Sequence, residues 1–272
     1  MTQQWKIADL PWTQLAPELA DAELVQTVKT AALVEANSAD YVTYLRNVFP
    51  DDPAFQAAAA AWGEEEIQHG AALALWAERV DPTFDFAASL ARFRAGYRLP
   101  LESTQSVRGS RAGELVARCV VESGTCSFYS ALRDSTREPV LRAICHHIAQ
   151  DEAAHYRLFQ THLRRYLAGQ RLGFWARLRI ALGRVRETGD DELAYAYHAA
   201  NHAGAAAPPY DRAACAQAYW RRAMRRYQRR HVQSAAHMIL LAVDLNPGRR
   251  WARWGVEIIW RLLQWRLARV PA

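Results

Sequence analysis

From Asp21 to about Val48 the apolar residues Leu24, Val28, Ala31, Ala32, Ala39, Val42 and Leu45 recur at three- and four-residue steps, the spacing of one helix face. Glu35 falls inside that stripe. The same periodicity runs from Pro53 to about Val80 through Phe55, Ala59, Trp62, Leu73 and Trp76, with Glu66 and His69 at stripe positions, and stops before Asp81-Pro82. A shorter connecting helix is expected near Phe84 to Tyr97. A loop over Pro100 to Ser110 follows, then helices from about Arg111 to Leu132 and from about Pro139 to Leu167. Trp5, Pro11, Trp12 and Pro17 mark residues 1 to 20 as an irregular arm laid over these helices. Beyond Gly169 the pattern predicts a basic helix over Arg171 to Arg186 and a turn at Gly189-Asp190-Asp191. Helices over 190 to 203 and 210 to 244 follow, separated by Ala207-Pro208-Pro209, and after a break at Asn246-Pro247-Gly248 a last helix covers Arg249 to Arg269. The expected organisation is all-α: an arm at 1–20, a helical bundle at 21–168 and a helical extension at 169–272 packed on that bundle.

Carboxylates on buried stripes need a reason, because an ionised carboxylate in a core is costly unless it is paired or bound to metal. Glu66-Ile67-Gln68-His69 and Glu152-Ala153-Ala154-His155 both read Glu-x-x-His, a spacing that puts a carboxylate and an imidazole on the same helix face. A two-metal carboxylate bundle requires one further glutamate from each of two other helices. Glu35 and Glu122 can supply them. The midpoint between Glu35 and Glu66 lies in the turn Phe49-Pro50-Asp51-Asp52-Pro53, and that between Glu122 and Glu152 lies in Asp134-Ser135-Thr136-Arg137-Glu138-Pro139. Residues equidistant from the turn of an antiparallel hairpin share a height. Glu35, Glu66, His69, Glu122, Glu152 and His155 should therefore converge, with Glu66 and Glu152 placed to bridge. Four carboxylates and two imidazoles form an oxygen-rich set suited to two iron ions, or to manganese. Glu64 and Glu65 read as solvated neighbours, and His146, His147, His162, His198, His202, His231 and His237 as ordinary core or surface residues.

These residues resemble the soluble acyl-acyl-carrier-protein desaturases of the ferritin-like superfamily. Trp62 precedes the Glu65-Glu66-x-x-His69-Gly70 run, Asp151 precedes Glu152, and Thr125 stands three after Glu122. The resemblance covers roughly residues 20 to 165 and implies a ferritin-like four-helix bundle with a di-iron centre, and a homodimer. It also implies that Thr125 lines an oxygen pocket and that Trp62 and Asp151 belong to an electron route. The residues alone leave a second reading of Thr125, a helix-interior threonine bonded to its own backbone. On this resemblance the expected function is O2-dependent oxidation of an unactivated acyl chain, desaturation first and hydroxylation next, on an acyl carrier protein or another carrier. A hydroxylase of a membrane lipid, or a rubrerythrin- or ferritin-like protein that handles iron or peroxide, are the alternatives. A non-catalytic basic adaptor is a third. No Cys-x-x-Cys pair is present, so electrons must come from an external donor such as a ferredoxin.

Charge adds a partner question. Residues 1–160 carry 14 Lys and Arg against 21 Asp and Glu, whereas residues 161–272 carry 20 against 7, so the chain is acidic first and basic last. Such asymmetry fits an anionic partner, either an acidic carrier protein or a phospholipid surface, or a solvated basic face; no nucleic acid is expected. The last helix places Trp251, Trp254, Ile258, Leu262 and Trp265 on one side, a composition found at membrane interfaces and equally in packed terminal helices or dimer contacts. The four cysteines lack metal-knuckle spacing, no signal peptide is visible and no apolar run approaches a span. The expected location is cytoplasmic, with membrane-peripheral contact open.

Overall fold

A computed structural model describes residues 5–169, 171–187, 191–202 and 207–269, and every regular element among them is helical. The helices are α1 (Ala22–Glu35), α2 (Ser38–Val48), α3 (Pro53–Val80), α4 (Phe86–Gly96), α5 (Arg111–Ser135) and α6 (Pro139–Gly169). They continue with α7 (Phe174–Arg186), α8 (Asp191–Asn201), α9 (Arg212–Arg225), α10 (Arg229–Ala242) and α11 (Arg250–Arg269). Residues 1–4 of the arm, the 189–190 part of the expected turn, and both ends of the expected 190–203 helix lie outside the described residues.

The long helices begin where side chains satisfy their free amides. Asp52 accepts from the Phe55 amide at 3.1 Å with Pro53 as the first helical residue of α3, and Ser110 accepts from the Gly113 amide at 3.0 Å to open α5. Buried Glu138 accepts from the Leu141 amide at 2.6 Å at the start of α6, and the same oxygen, Oε2, also accepts the Trp76 indole proton at 2.6 Å. That one carboxylate therefore both starts α6 and ties it to α3.

Two expected helices are each broken in two. The stripe from Asp21 to Val48 is interrupted at Ala36 and Asn37, directly after Glu35. Here the Ala36 carbonyl accepts from the Arg94 guanidinium of α4 at 2.9 Å, not from an amide one turn on. Two glycines of α3 make room for the bend. A Cβ at Gly70 would lie 2.7 Å from the Ala36 nitrogen, and one at Gly63 would lie 2.2 Å from a Val42 methyl. The segment expected as one helix over 210–244 is interrupted at Arg226–Gln228, with Gln228 extended and its amide bonded to His231 Nδ1 at 3.0 Å. This break carries no glycine or proline. It lets α9 pack on α8 and α1 while α10 turns back onto α5.

The core is split into two apolar layers by a polar one. On α3, Phe55, Ala59 and Trp62 belong to one cluster and Leu73, Trp76 and Ala77 to the other. On α5 the division falls between Val120 and Tyr129, and on α6 between Ala149 and Tyr156. Leu33 of α1 and Tyr44 of α2 lie on opposite sides of the same level. The residues left between the clusters on these four strands of helix are Glu35, Glu66, His69, Glu122, Glu152 and His155. Around this layered unit, α7 and α10 cover α5, α8 covers α1 and α4, and α11 lies on α10 and α9. The arm forms short 3-10 turns over the α3–α6 face, held by Trp5 and by the Ala16 amide on Glu138 at 3.2 Å.

The bend beside Glu35 makes a stability prediction. Gly70→Ala forces a methyl into backbone that cannot rotate away, an overpacking cost of about 1–3 kcal/mol that exceeds the gain of up to about 1 kcal/mol from replacing a helical glycine. Gly124 of α5 meets no atom within 4 Å of a built Cβ. Urea unfolding should therefore show a lower midpoint for Gly70→Ala and an unchanged or higher one for Gly124→Ala.

Candidate metal centre

The bundle geometry brings all six expected ligands together, and each is 7% exposed or less. Glu35, Glu66, His69 and Glu152 offer ligand atoms within 4.8 Å of one another, and so do Glu66, Glu122, Glu152 and His155. The two groups share Glu66 and Glu152. His69 Nδ1 lies 3.5 Å from both Glu66 and Glu152 and 4.0 Å from Glu35. His155 Nδ1 lies 3.1 Å from Glu66, 3.8 Å from Glu122 and 3.9 Å from Glu152. Both Nδ1 atoms, with Glu122 Oε1 and Glu152 Oε1, are buried without a hydrogen-bond partner. Unpaired donors and acceptors at one buried level are the expected signature of groups disposed to hold a cation. Hard carboxylate oxygens with two imidazoles fit a pair of irons or manganese ions and fit zinc or copper poorly.

The outer nitrogens of both imidazoles are held by carboxylates. His69 Nε2 lies 3.1 Å from Asp151, which also accepts the Trp5 indole proton at 2.7 Å. His155 Nε2 lies 2.7 Å from Glu65. Such outer contacts fix the ring so that Nδ1 faces the centre. Glu65 is therefore not simply solvated; only Glu64 of the pair is fully exposed. Trp62 does not reach Asp151. It stands edge-on to His155 at 6.5 Å, with its indole nitrogen buried and unpaired, and the tryptophan joined to Asp151 is Trp5 of the arm. The Tyr129 hydroxyl donates to Glu35. It stands seven residues after Glu122, two turns along the same face of α5, a signal that sequence reading could have used.

Thr125 sits between its two readings. Its Oγ1 is 3.3 Å from the carbonyls of Val121 and Glu122 and 2.5 Å from Glu152 Oε2. It lines a cavity of about 350 Å³ into which Glu35, Glu66, Glu122 and Glu152 also open. The opposite wall is apolar and aromatic, built from Leu193 of α8, Tyr219, Trp220 and Ala223 of α9, and Tyr227 in the break beyond it. The C-terminal helices thus form one wall of the space beside the centre. His198 of α8 and His202, just past its end, form a further group with Cys215 of α9, their ligand atoms within 4.8 Å. Their four-residue spacing on one helix was legible in the sequence and was read as ordinary; an imidazole–thiol set suits zinc better than iron.

Compared with models of known protein families and with curated proteins, the chain matches none. What the site can do is accordingly read from its own chemistry.

Burial, followed by repulsion from Glu66 and Glu152, holds Glu35 and Glu122 well above the ordinary carboxyl range. Burial also disfavours the charged form of His69 and His155, but the surrounding carboxylates, Asp151 and Glu152 for the first and Glu152 and Glu65 for the second, outweigh it and raise both imidazoles. For Glu66, burial is outweighed by proton sharing with Glu35 and the two imidazoles, which keeps it well below its usual value; Glu152 is lowered by the imidazoles against burial and Glu66. The raised Glu35, Glu122, His69 and His155 favour their protonated forms and the lowered Glu66 and Glu152 their ionised ones, so the shifts run toward cancelling the charge of the layer. Metal ions held by these ligands would displace the protons that the raised groups carry.

A pH prediction follows from those signs. Groups whose folded pKa is raised stabilise the fold at low pH and lose that contribution as pH climbs through the raised value. The melting temperature of the metal-free chain should therefore fall as pH rises above about 6.5, the ordinary imidazole value. Iron affinity should rise over the same range, because fewer protons must be displaced. Metal analysis should give two ions per chain, reduced to one or none in Glu66→Ala/Glu152→Ala; unchanged content in that variant would remove the shared-ligand arrangement.

Proposed function

We propose that the chain is a ferritin-like di-iron oxidase related in chemistry to the soluble acyl-acyl-carrier-protein desaturases. The observation that carries this reading is the juxtaposition of two overlapping carboxylate–imidazole groups with a largely apolar cavity. A store or scavenger of small hydrophilic species has no use for such a wall. An oxidase of a hydrophobic chain requires one, both to bind the chain and to keep water from the reacting carbon.

When bound, two irons supply a site where O2 is reduced beside the substrate. Desaturation converts –CH2–CH2– and O2, with two electrons and two protons from outside, into –CH=CH– and two waters. Hydroxylation takes the same electrons and protons and gives an alcohol and one water. Both outcomes start from removal of hydrogen from an unactivated carbon, and the residues on the cavity floor serve either. Thr125 can pass a proton between the cavity and Glu152 Oε2, the carboxylate oxygen nearest its hydroxyl. Tyr129 holds Glu35 by its hydroxyl and fixes the orientation of that carboxylate. Glu65 and Asp151 hold His155 and His69 from behind. Electrons arriving from an external donor have a hydrogen-bonded route through Trp5, Asp151 and His69, and the stacking of Trp5 on His69, 6.2 Å apart and 7° from parallel, keeps it short.

The expected behaviour separates these roles. Thr125→Val keeps the shape and removes the hydroxyl, so iron content and melting temperature stay near wild type. Substrate-coupled O2 consumption should fall by about 10- to 100-fold or divert to peroxide, within the usual range for loss of a proton-transfer group. Trp5→Phe should slow reduction of the iron-loaded chain by a chemical donor while leaving iron content unchanged. Lipid analysis of cells expressing the chain, against cells expressing Glu66→Ala, reads the reaction itself; identical lipids with iron bound in the wild type would sink the oxidase reading and favour iron or peroxide handling.

For the basic C-terminal helices we propose an anionic membrane surface as partner. Along α11, Trp251, Trp254, Ile258, Ile259, Leu262 and Trp265 are each at least half exposed, and Arg250, Arg253, Arg261, Arg266 and Arg269 accompany them. No described helix is long and apolar enough to cross a membrane. An arginine–tryptophan helix of this kind rests in the headgroup layer. Sedimentation with phosphatidylglycerol vesicles should persist in part at high salt, since the apolar term is not screened, and should vanish on deletion of residues 249–272. Complete loss of binding at high salt with full-length chain would leave only a charged surface, of the kind an acidic acyl carrier protein would meet.

A further inference from the structure

The cavity above the centre has a polar end that the oxidase reading does not use. Arg118 of α5 lines it, four residues before Glu122 and so one turn, about 6 Å, along the same helix face. The side chain is 9% exposed. It makes no hydrogen bond to any described residue, and its Nε is buried without a partner. The nearest carboxylate oxygen, Glu114 Oε1, is 3.7 Å from that Nε, beyond hydrogen-bond reach. The other Glu114 oxygen is taken by the hydroxyls of Tyr44 at 2.9 Å and Ser106 at 2.7 Å. Tyr41 offers its ring face to the guanidinium at 4.8 Å and gives its own proton to Glu192 at 2.6 Å. The neighbouring acids thus balance the charge of Arg118 without using its donors.

A guanidinium carries five donors in a rigid fork, and leaving them unmade inside a protein is costly. The ligand that completes the fork is planar, anionic and bidentate. A carboxylate meets those requirements and is small enough to enter a space of about 350 Å³ together with a hydrocarbon tail. A tail attached to a carboxylate at Arg118 runs along α5 past Val121 to Glu122 and Thr125, which sets the reacting carbon a few bonds from the acid. A carrier-bound acyl group has no such charge, because its carboxyl is consumed in the thioester.

We propose that Arg118 anchors the carboxylate of a small, free organic acid with an apolar tail, which is the substrate class of the centre. This inference rests on the oxidase reading for its chemistry but not for its binding geometry. The anchor also gives the enzyme discrimination: an uncharged analogue of equal shape leaves the fork empty and gains only apolar contact.

The test is calorimetric titration of the iron-loaded, full-length chain with octanoate and with octanamide, which share a tail and differ in charge. Octanoate should bind tighter by about tenfold or more, the usual weight of a charge-assisted pair. Arg118→Met should abolish the difference, and Arg118→Lys, which keeps the charge without the fork, should restore part of it. Because Arg118→Met leaves Glu114 without a countercharge, Arg118→Met/Glu114→Gln is measured beside it, with iron content confirming an intact centre. Equal binding of the two probes to wild type, or no detectable binding of either, overturns the proposal. Discrimination that survives in the iron-replete double variant also overturns it, since octanoate would then sit on the metals and Arg118 would be the countercharge of its acidic neighbours. Octanoate-dependent O2 consumption is read separately: Arg118-dependent binding without oxidation of octanoate or its homologues refutes the oxidase reading and leaves the anchor standing.

Discussion

Four carboxylates and two imidazoles share one level of the core, and the rest of the molecule is arranged around the cost of putting them there. An apolar interior does not tolerate such a layer unless its charge cancels. Here the shifts run toward cancellation by protons, and two divalent ions on the four carboxylates would cancel the charge equally well. The raised Glu35, Glu122, His69 and His155 and the lowered Glu66 and Glu152 describe the first of these states. The apolar clusters above and below the layer then hold the helices in register whichever state is present. Stability and metal affinity are in this way coupled through the same protons.

Much of this layer was legible because hairpin geometry is arithmetic. Equal distances from two proline-containing turns set Glu35 against Glu66 and Glu122 against Glu152, and the periodicity that puts Phe55, Trp62 and Trp76 inside puts Glu66 and His69 inside with them. The bounds of α3 were readable for the same reason: Asp52-Pro53 and Asp81-Pro82 are strong local punctuation. The break after Glu35 was not, since Ala36-Asn37 carries no proline or glycine. Its cause is tertiary, an arginine from α4 on the Ala36 carbonyl and a glycine on α3 against the Ala36 backbone. The break at Arg226–Gln228 was hidden likewise, because α10 leaves the line of α9 to pack on α5.

The outer contacts of the imidazoles show a different limit. Asp151 was singled out beside Glu152, but its indole partner could not be found by motif order, because Trp5 lies in an arm whose path over α3 and α6 no local pattern specifies. Trp62, singled out by its place before the Glu-x-x-His run, turns toward His155 and Phe159. Glu65 was read as solvated from its position in a run of three acids. A helix carrying Glu64, Glu65 and Glu66 can bury only one of them fully, yet Glu65 lies at the boundary and reaches the far nitrogen of His155, a ring supplied by another helix.

The C-terminal helices join these threads. Read as sequence they are a basic extension, and their charge invites an explanation in terms of partners. In space α8 and α9 wall the cavity over the metal layer, while α11, two helices further out, carries the exposed tryptophans. The same segment therefore lines the cavity on its inner side and faces outward with an amphipathic surface. An apolar acid partitions into a bilayer, and its headgroup-level carboxylate is the part a buried guanidinium recognises. On the proposed reading, a helix resting on an anionic surface and packed on α9, part of the cavity wall, would shorten the path between the two. The arginines of α11 accompany its exposed tryptophans, whereas Arg118, which lines the cavity with Arg184, belongs to α5 and stands one turn from Glu122. On the proposed reading, attraction to the surface and selection of the substrate would be carried by different arginines, so that either could change without loss of the other.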